Sequence, residues 1–64
     1  MLKIDVERAL RTHVGGEFAN RKEIADALGY KDAHAVDRFI KGLPRIGNRY
    51  YIGDVAERII EVAR

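Results

Sequence analysis

Asn20-Arg21-Lys22-Glu23-Ile24-Ala25-Asp26-Ala27-Leu28-Gly29, a short turn, and then Asp32-Ala33-His34-Ala35-Val36-Asp37-Arg38-Phe39-Ile40-Lys41-Gly42-Leu43-Pro44 decide the fold. The first half opens on an Asn N-cap with Glu at the third helical position. That is a capping-box spacing, in which the two side chains satisfy each other's orphan backbone N–H groups. Ile24, Ala25 and Leu28 form its apolar stripe, and Ala19 with Ile24 can staple across the cap. Gly29 stands where a left-handed residue closes a helix. In the second half Asp32 can cap, and Ala33, Val36, Phe39, Ile40 and Leu43 recur at helical spacing. Gly42 and Pro44 stop it. Two helices this close predict a helix-turn-helix unit over residues 21–43.

Upstream, Val6, Ala9, Leu10 and Val14 make one stripe, which predicts a helix over residues 4–14 ended by Gly15-Gly16. Downstream, two short β-prone runs flank Gly47-Asn48, a two-residue hairpin signal, so residues 44–52 are expected to form a wing. One of Tyr50 and Tyr51 then faces the core and the other faces out. Gly53-Asp54, with Asp54 and Glu57 at capping-box spacing, is expected to open a last helix over residues 54–64. The prediction is one mainly α domain over residues 1–64. Its architecture is a winged helix-turn-helix of three or four short helices and one two-stranded hairpin.

The 64 residues hold 12 Lys and Arg against 10 Asp and Glu, a net charge of +2. The distribution says more than the sum. Residues 31–51 carry Lys31, Arg38, Lys41, Arg45 and Arg49 against Asp32 and Asp37, while the flanking stretches are nearly balanced. A local basic excess is what a polyanion-binding surface requires, although a solvated face also gathers charge. There is no cysteine, serine or glutamine, and one threonine, Thr12. Thiol and serine nucleophiles are therefore excluded. His13 and His34 lie far apart with no ligand spacing around them, so no metal and no cofactor are expected. No phosphate-cradling glycine motif occurs, and an enzyme is not expected. The charged start, Met1-Leu2-Lys3-Ile4-Asp5, is no signal peptide, and no stretch is long enough to span a membrane. A cytoplasmic location follows as the expectation.

Removing the buried stripe from the third helix leaves His34, Asp37, Arg38 and Lys41 on one outward face. Arg38 can offer two parallel donors to guanine, Lys41 can reach a phosphate or a guanine, and His34 a base edge or phosphate. Asp37 can accept from a cytosine amino group or orient Arg38 or Lys41. Lys31 in the turn and Arg45, Asn48, Arg49 and Tyr51 in the wing complete the candidate set, with both wing arginines expected near one tip. The partner expected is double-stranded DNA. The alternative is a winged-helix module of a larger protein that binds protein and not DNA. Ile59, Ile60, Val62 and Ala63 span a wide apolar face on the last helix, which raises self-association or cooperative assembly through that end.

The run Arg21–Gly29, the run Val36-Asp37-Arg38-Phe39-Ile40-Lys41-Gly42-Leu43-Pro44 and the run from Arg45 to Val55 together resemble the small excisionase-type and MerR-like winged-helix proteins. The resemblance covers residues 20–58. It departs from that pattern in a turn between Gly29 and Val36 about one residue longer, and in the helix that precedes residue 20. It implies specific duplex-DNA binding in recombination directionality, DNA packaging or transcription control.

Overall fold

The computed structural model describes residues 2–63. It is mainly helical, with a small antiparallel sheet. Helix α1 spans Lys3–Val14, β1 Phe18–Asn20 and α2 Arg21–Leu28. A 3₁₀ turn, Ala33–Val36, leads into α3, Asp37–Ile40; β2 (Arg45–Ile46), β3 (Arg49–Tyr51) and α4 (Ile52–Ala63) follow.

The helix-turn-helix stretch begins as its sequence predicts. The Asn20 side chain accepts from the Glu23 N–H at 2.8 Å, and the Asn20 N–H donates to the Glu23 carboxylate at 3.0 Å. Gly29, at φ +83°, closes α2 and donates to the carbonyls of Ala25 and Asp26. The helix expected from Ala33 to Leu43 is shorter and broken. Asp32 Oδ1 accepts from the His34 N–H at 2.9 Å, and the Ala35 N–H reaches back to the Asp32 carbonyl, which winds the first turn tight. The α-helical part ends at Ile40, four residues before Pro44. A proline has no N–H for the Ile40 carbonyl, its ring clashes there, and it pushes Leu43 out of helical conformation. The carbonyl of Lys41, just past the end of α3, accepts from Arg58 Nη1 of α4 at 2.9 Å.

The sheet has three strands in the order β1-β3-β2, one more than the expected hairpin. Ala19 pairs with Tyr50 and Phe18 with Tyr51, while Arg45 pairs with Tyr50 and Ile46 with Arg49. The added strand is short and shows the core only Ala19, so no alternation in the sequence announces it. The hairpin turns at Gly47-Asn48. Gly47 has φ +63° and Asn48 a negative φ, the sign pattern of a type II′ turn, which asks for glycine first.

The core takes Val6 and Leu10 from α1, Ile24 and Ala25 from α2, and Val36, Phe39 and Ile40 from the turn and α3. Ala19 and Tyr50 from the sheet and Ile52, Val55, Ala56 and Ile59 from α4 complete it. Tyr50 therefore faces in and Tyr51 out. Helix α4 starts two residues before the expected position, because the fully buried Ile52 draws the chain straight from β3 into a helix. Asp54 is then already inside the helix, and the Asp54-x-x-Glu57 spacing caps nothing. Gly53 is buried beneath the Tyr51 ring, and a Cβ placed there would meet Tyr51 Cε2 at 2.5 Å. Of the wide apolar face expected on α4, Ile59 is buried in the core, Ile60 packs at its edge, and Val62 and Ala63 remain exposed. Arg64, the expected end of this helix, lies outside the described residues.

Candidate nucleic-acid interface

Two adjoining open grooves, of about 380 and 400 Å³, lie where α2, α3 and the hairpin meet. Asp37, Arg38, Lys41 and Arg45 line the first together with Arg21. The second runs on through Arg21, Lys22, Arg45 and Asn48. The fold thus brings five of the expected site residues, Asp37, Arg38, Lys41, Arg45 and Asn48, to one surface. Arg38 and Lys41 no longer share a continuous helix, since Lys41 already leaves it at ψ 124°, but both still border the groove.

Arg21 and Lys22 were not among the expected site residues; their sequence position had suggested only the flank of a cap. A signal was present. Both sit in the first turn of α2, where the helix dipole disfavours cations. Arg21 meets Asp37 of α3, whereas Lys22 has no acid partner among the described residues that would explain its place there.

Asp37 does not orient Arg38 or Lys41. Its Oδ1 lies 3.0 Å from Arg21 Nε, off the N–H axis, so the contact is a charge contact and not a hydrogen bond. Its Oδ2 lies 3.5 Å from His34 Nδ1. His34 therefore stands at the groove's edge, largely exposed, tied to it through Asp37. The Arg38 guanidinium lies 4.7 Å from the centroid of the Phe39 ring, which steadies a side chain otherwise open to solvent. Lys31 is exposed in the turn after α2 and lines neither groove.

The two hairpin arginines, Arg45 and Arg49, both line one hollow at the hairpin, but their pairing sets them on opposite faces of the sheet. Arg45 is paired with Tyr50 and shares its face of the sheet, toward the groove. Arg49 is paired with Ile46 and shares the opposite face with Tyr51 and Phe18, around a further hollow that Ile46, Pro44, Asp54 and Arg45 also line. Strand alternation is the reason: across the two-residue turn Arg45 pairs with Tyr50, the neighbour of Arg49, so positions 45 and 49 fall on opposite faces. Tyr51 is outward, as expected, but its ring packs beside Phe18 and over Gly53 and not toward α3.

The flank of α1 carries a different pattern of charge. Arg11 donates to Glu17 at 2.7 Å and to Glu7 at 2.9 Å, and Lys3 lies 3.5 Å from Glu7. The hydrogen bond from Arg11 holds the Glu7 carboxyl below its ordinary pKa, and the bond to Glu17, then that to Glu7, hold the Arg11 guanidinium above its own. Lys22, Arg38, Lys41 and Arg45 form no ion pair with any described residue. Among the described residues no three His, Cys, Asp or Glu side chains converge as a metal site would need, and no helix is long and apolar enough to cross a membrane. Comparison with family models, curated proteins and solved structures gives no match to this chain.

Proposed function

We propose that this chain is a cytoplasmic winged-helix protein that binds double-stranded DNA sequence-specifically, and that it is a binding protein and not an enzyme. One observation carries the reading. Five cations, Arg21, Lys22, Arg38, Lys41 and Arg45, border one continuous groove that holds a single carboxylate, Asp37. Gathering five cations around one acid raises the energy of the free protein, and a phosphate backbone relieves it. The arrangement of elements supports the same reading. The short α3 is presented beside a hairpin, Arg38 at its surface can address a guanine edge, and Arg21, Lys22, Lys41 and Arg45 can take flanking phosphates. The roles fitting such a protein are recombination directionality, DNA packaging or transcription control.

The test is selection from a random-sequence duplex library, followed by a salt titration on the duplex recovered. The expected result is enrichment of one sequence and a log K that falls by about 0.9 per log unit of salt for each phosphate neutralised. Absence of duplex binding at low salt sinks the reading. One feature favours protein binding instead: a mostly apolar hollow lined by Val6, Ala9, Leu10, Ala27, Leu28 and Ile59, with Asp5 at its border. Binding of that kind is expected to be insensitive to salt.

A further inference from the structure

The chain turns sharply on leaving α3, and the turn is of one defined kind. Lys41 has φ −59° and ψ 124°, Gly42 has φ +80°, and the Leu43 N–H donates to the Ile40 carbonyl at 3.0 Å. That is a type II turn over residues 40–43, in which glycine takes the third position without strain. Types I and II differ by a flip of the central peptide, here the Lys41–Gly42 unit. A side chain from a distant element fixes the flip. Arg58 Nη1 of α4 donates to the Lys41 carbonyl, and Arg58 forms no ion pair with any described residue. The peptide is trans and planar, so its N–H lies opposite its carbonyl. The Gly42 N–H therefore points away from Arg58. It finds no acceptor among the described residues. Gly42 is exposed and lines the groove beside Lys41, Arg38 and Arg45, whereas Arg58 lines neither half of it.

We infer that the Gly42 N–H is a phosphate-binding donor of the groove, and that Arg58 is the positioning residue that aims it. Backbone N–H groups are among the donors that fix a protein on the DNA phosphates. A hydrogen bond to an anion is about twice as strong as a neutral one. The carbonyls that would repel an anion at this end of α3 are engaged: those of Asp37, Ile40 and Lys41 accept from the Lys41 N–H, the Leu43 N–H and Arg58. With the peptide flipped, the Lys41 carbonyl would take the place of the N–H and meet the phosphate with its own negative end. The two neighbours divide the task. The Lys41 ammonium supplies charge on a flexible stem, and the Gly42 N–H supplies a fixed direction. A protein carboxylate suits one N–H equally well, but the five cations around this groove match a chain of phosphates and not a single acid. The donor rests on the duplex-DNA reading above and adds a contact to it.

The test uses the duplex recovered from the selection, both natural and with one phosphate at a time replaced by an uncharged methylphosphonate. It compares wild type with Arg58→Met and with a synthetic chain that carries glycolic acid in place of Gly42, an ester that deletes the N–H and keeps the backbone length. Both variants are expected to bind the natural duplex about tenfold more weakly, the size of one hydrogen bond to a charged group. Their salt slope is expected to match wild type, because no phosphate-binding charge is lost, in contrast to Lys41→Ala. At one phosphate the methylphosphonate is expected to weaken wild type about tenfold more than it weakens either variant. The ester leaves every side chain in place, so it decides the matter even where Arg58→Met melts early. An ester chain that binds as wild type does, or whose loss is spread evenly over all phosphates, overturns the donor and leaves DNA binding standing. A salt slope one unit lower for Arg58→Met places Arg58 itself on a phosphate and overturns its positioning role. Failure of wild type to bind any duplex overturns both readings.

Discussion

On the flank of α1, cations and acids are matched in a chain: Lys3–Glu7, Glu7–Arg11 and Arg11–Glu17 lie 3.5, 2.9 and 2.7 Å apart. Around the groove between α2, α3 and the hairpin they are not. Lys22, Arg38, Lys41 and Arg45 have no acid partner among the described residues, and Arg21 has only Asp37. The difference is hardly one of stability, since exposed ion pairs are worth about 0–1 kcal/mol. It lies in what each region leaves over. The α1 flank closes its own account of charge and has nothing further to offer a ligand. The groove keeps a surplus that only an external anion can neutralise.

The largest effect expected on this contrast comes from beneath the groove. Phe39 is 5% exposed and supports Arg38 directly. Phe39→Ala is expected to cost about 3–5 kcal/mol, much of what a small domain has. A thermal or denaturant melt measures it. A melting point within a few degrees of wild type would mean that α3 is not fixed by the core, and the groove would lose its meaning as a shaped surface.

A smaller effect separates the two regions by ligand. Arg38→Ala is expected to weaken binding to the selected duplex by about 1–3 kcal/mol and to relax preference at one base pair. Lys41→Ala should weaken all duplexes alike and lower the salt slope by about one unit. Arg11→Ala, on the matched flank, should change neither. Competition gel shifts decide between them, and the contrast fails if Arg11→Ala weakens binding as much as Lys41→Ala does.

The smallest effect sharpens the other half. The Glu7 carboxyl titrates below its ordinary value in the folded chain, chiefly through the Arg11 hydrogen bond. Its contribution to stability is therefore fully present above the unfolded-state pKa and is lost as pH falls through the folded-state pKa. Glu7→Gln is expected to flatten the acid limb of the melting curve against pH, to lower the neutral-pH melting point slightly and to leave DNA affinity unchanged. An acid limb as steep as wild type's would show that other carboxylates govern it.

What could be read in the sequence was what is decided locally. The Asn20–Glu23 box, the Gly29 closure and the Gly47-Asn48 turn each depend on residues a few positions apart. What could not be read was decided by distant partners. Strand β1 exists because β3 pairs with it, and its one buried residue, Ala19, carries too little pattern to announce a strand. Helix α4 begins early because the core takes Ile52. The break at Ile40 was local and legible, since Pro44 acts four residues back, but the apolar spacing through Leu43 concealed it. The groove was legible in part. Arg38, Lys41 and Arg45 stood out by charge, whereas Arg21 and Lys22 were hidden by their role beside a helix cap. That Arg45 and Arg49 take opposite faces of the hairpin followed from the turn alone.

Tyr51 and Gly53 form one unit of variation. The ring at 51 fills the space in which any side chain at 53 would begin. A descendant of this chain that acquires even alanine at 53 has to swing that ring away from Phe18 or replace it with something smaller. Either route removes the aromatic floor under the outer face of the hairpin. A side chain at 53 is therefore expected to displace the Tyr51 ring, and a smaller residue at 51 is expected to make room for it.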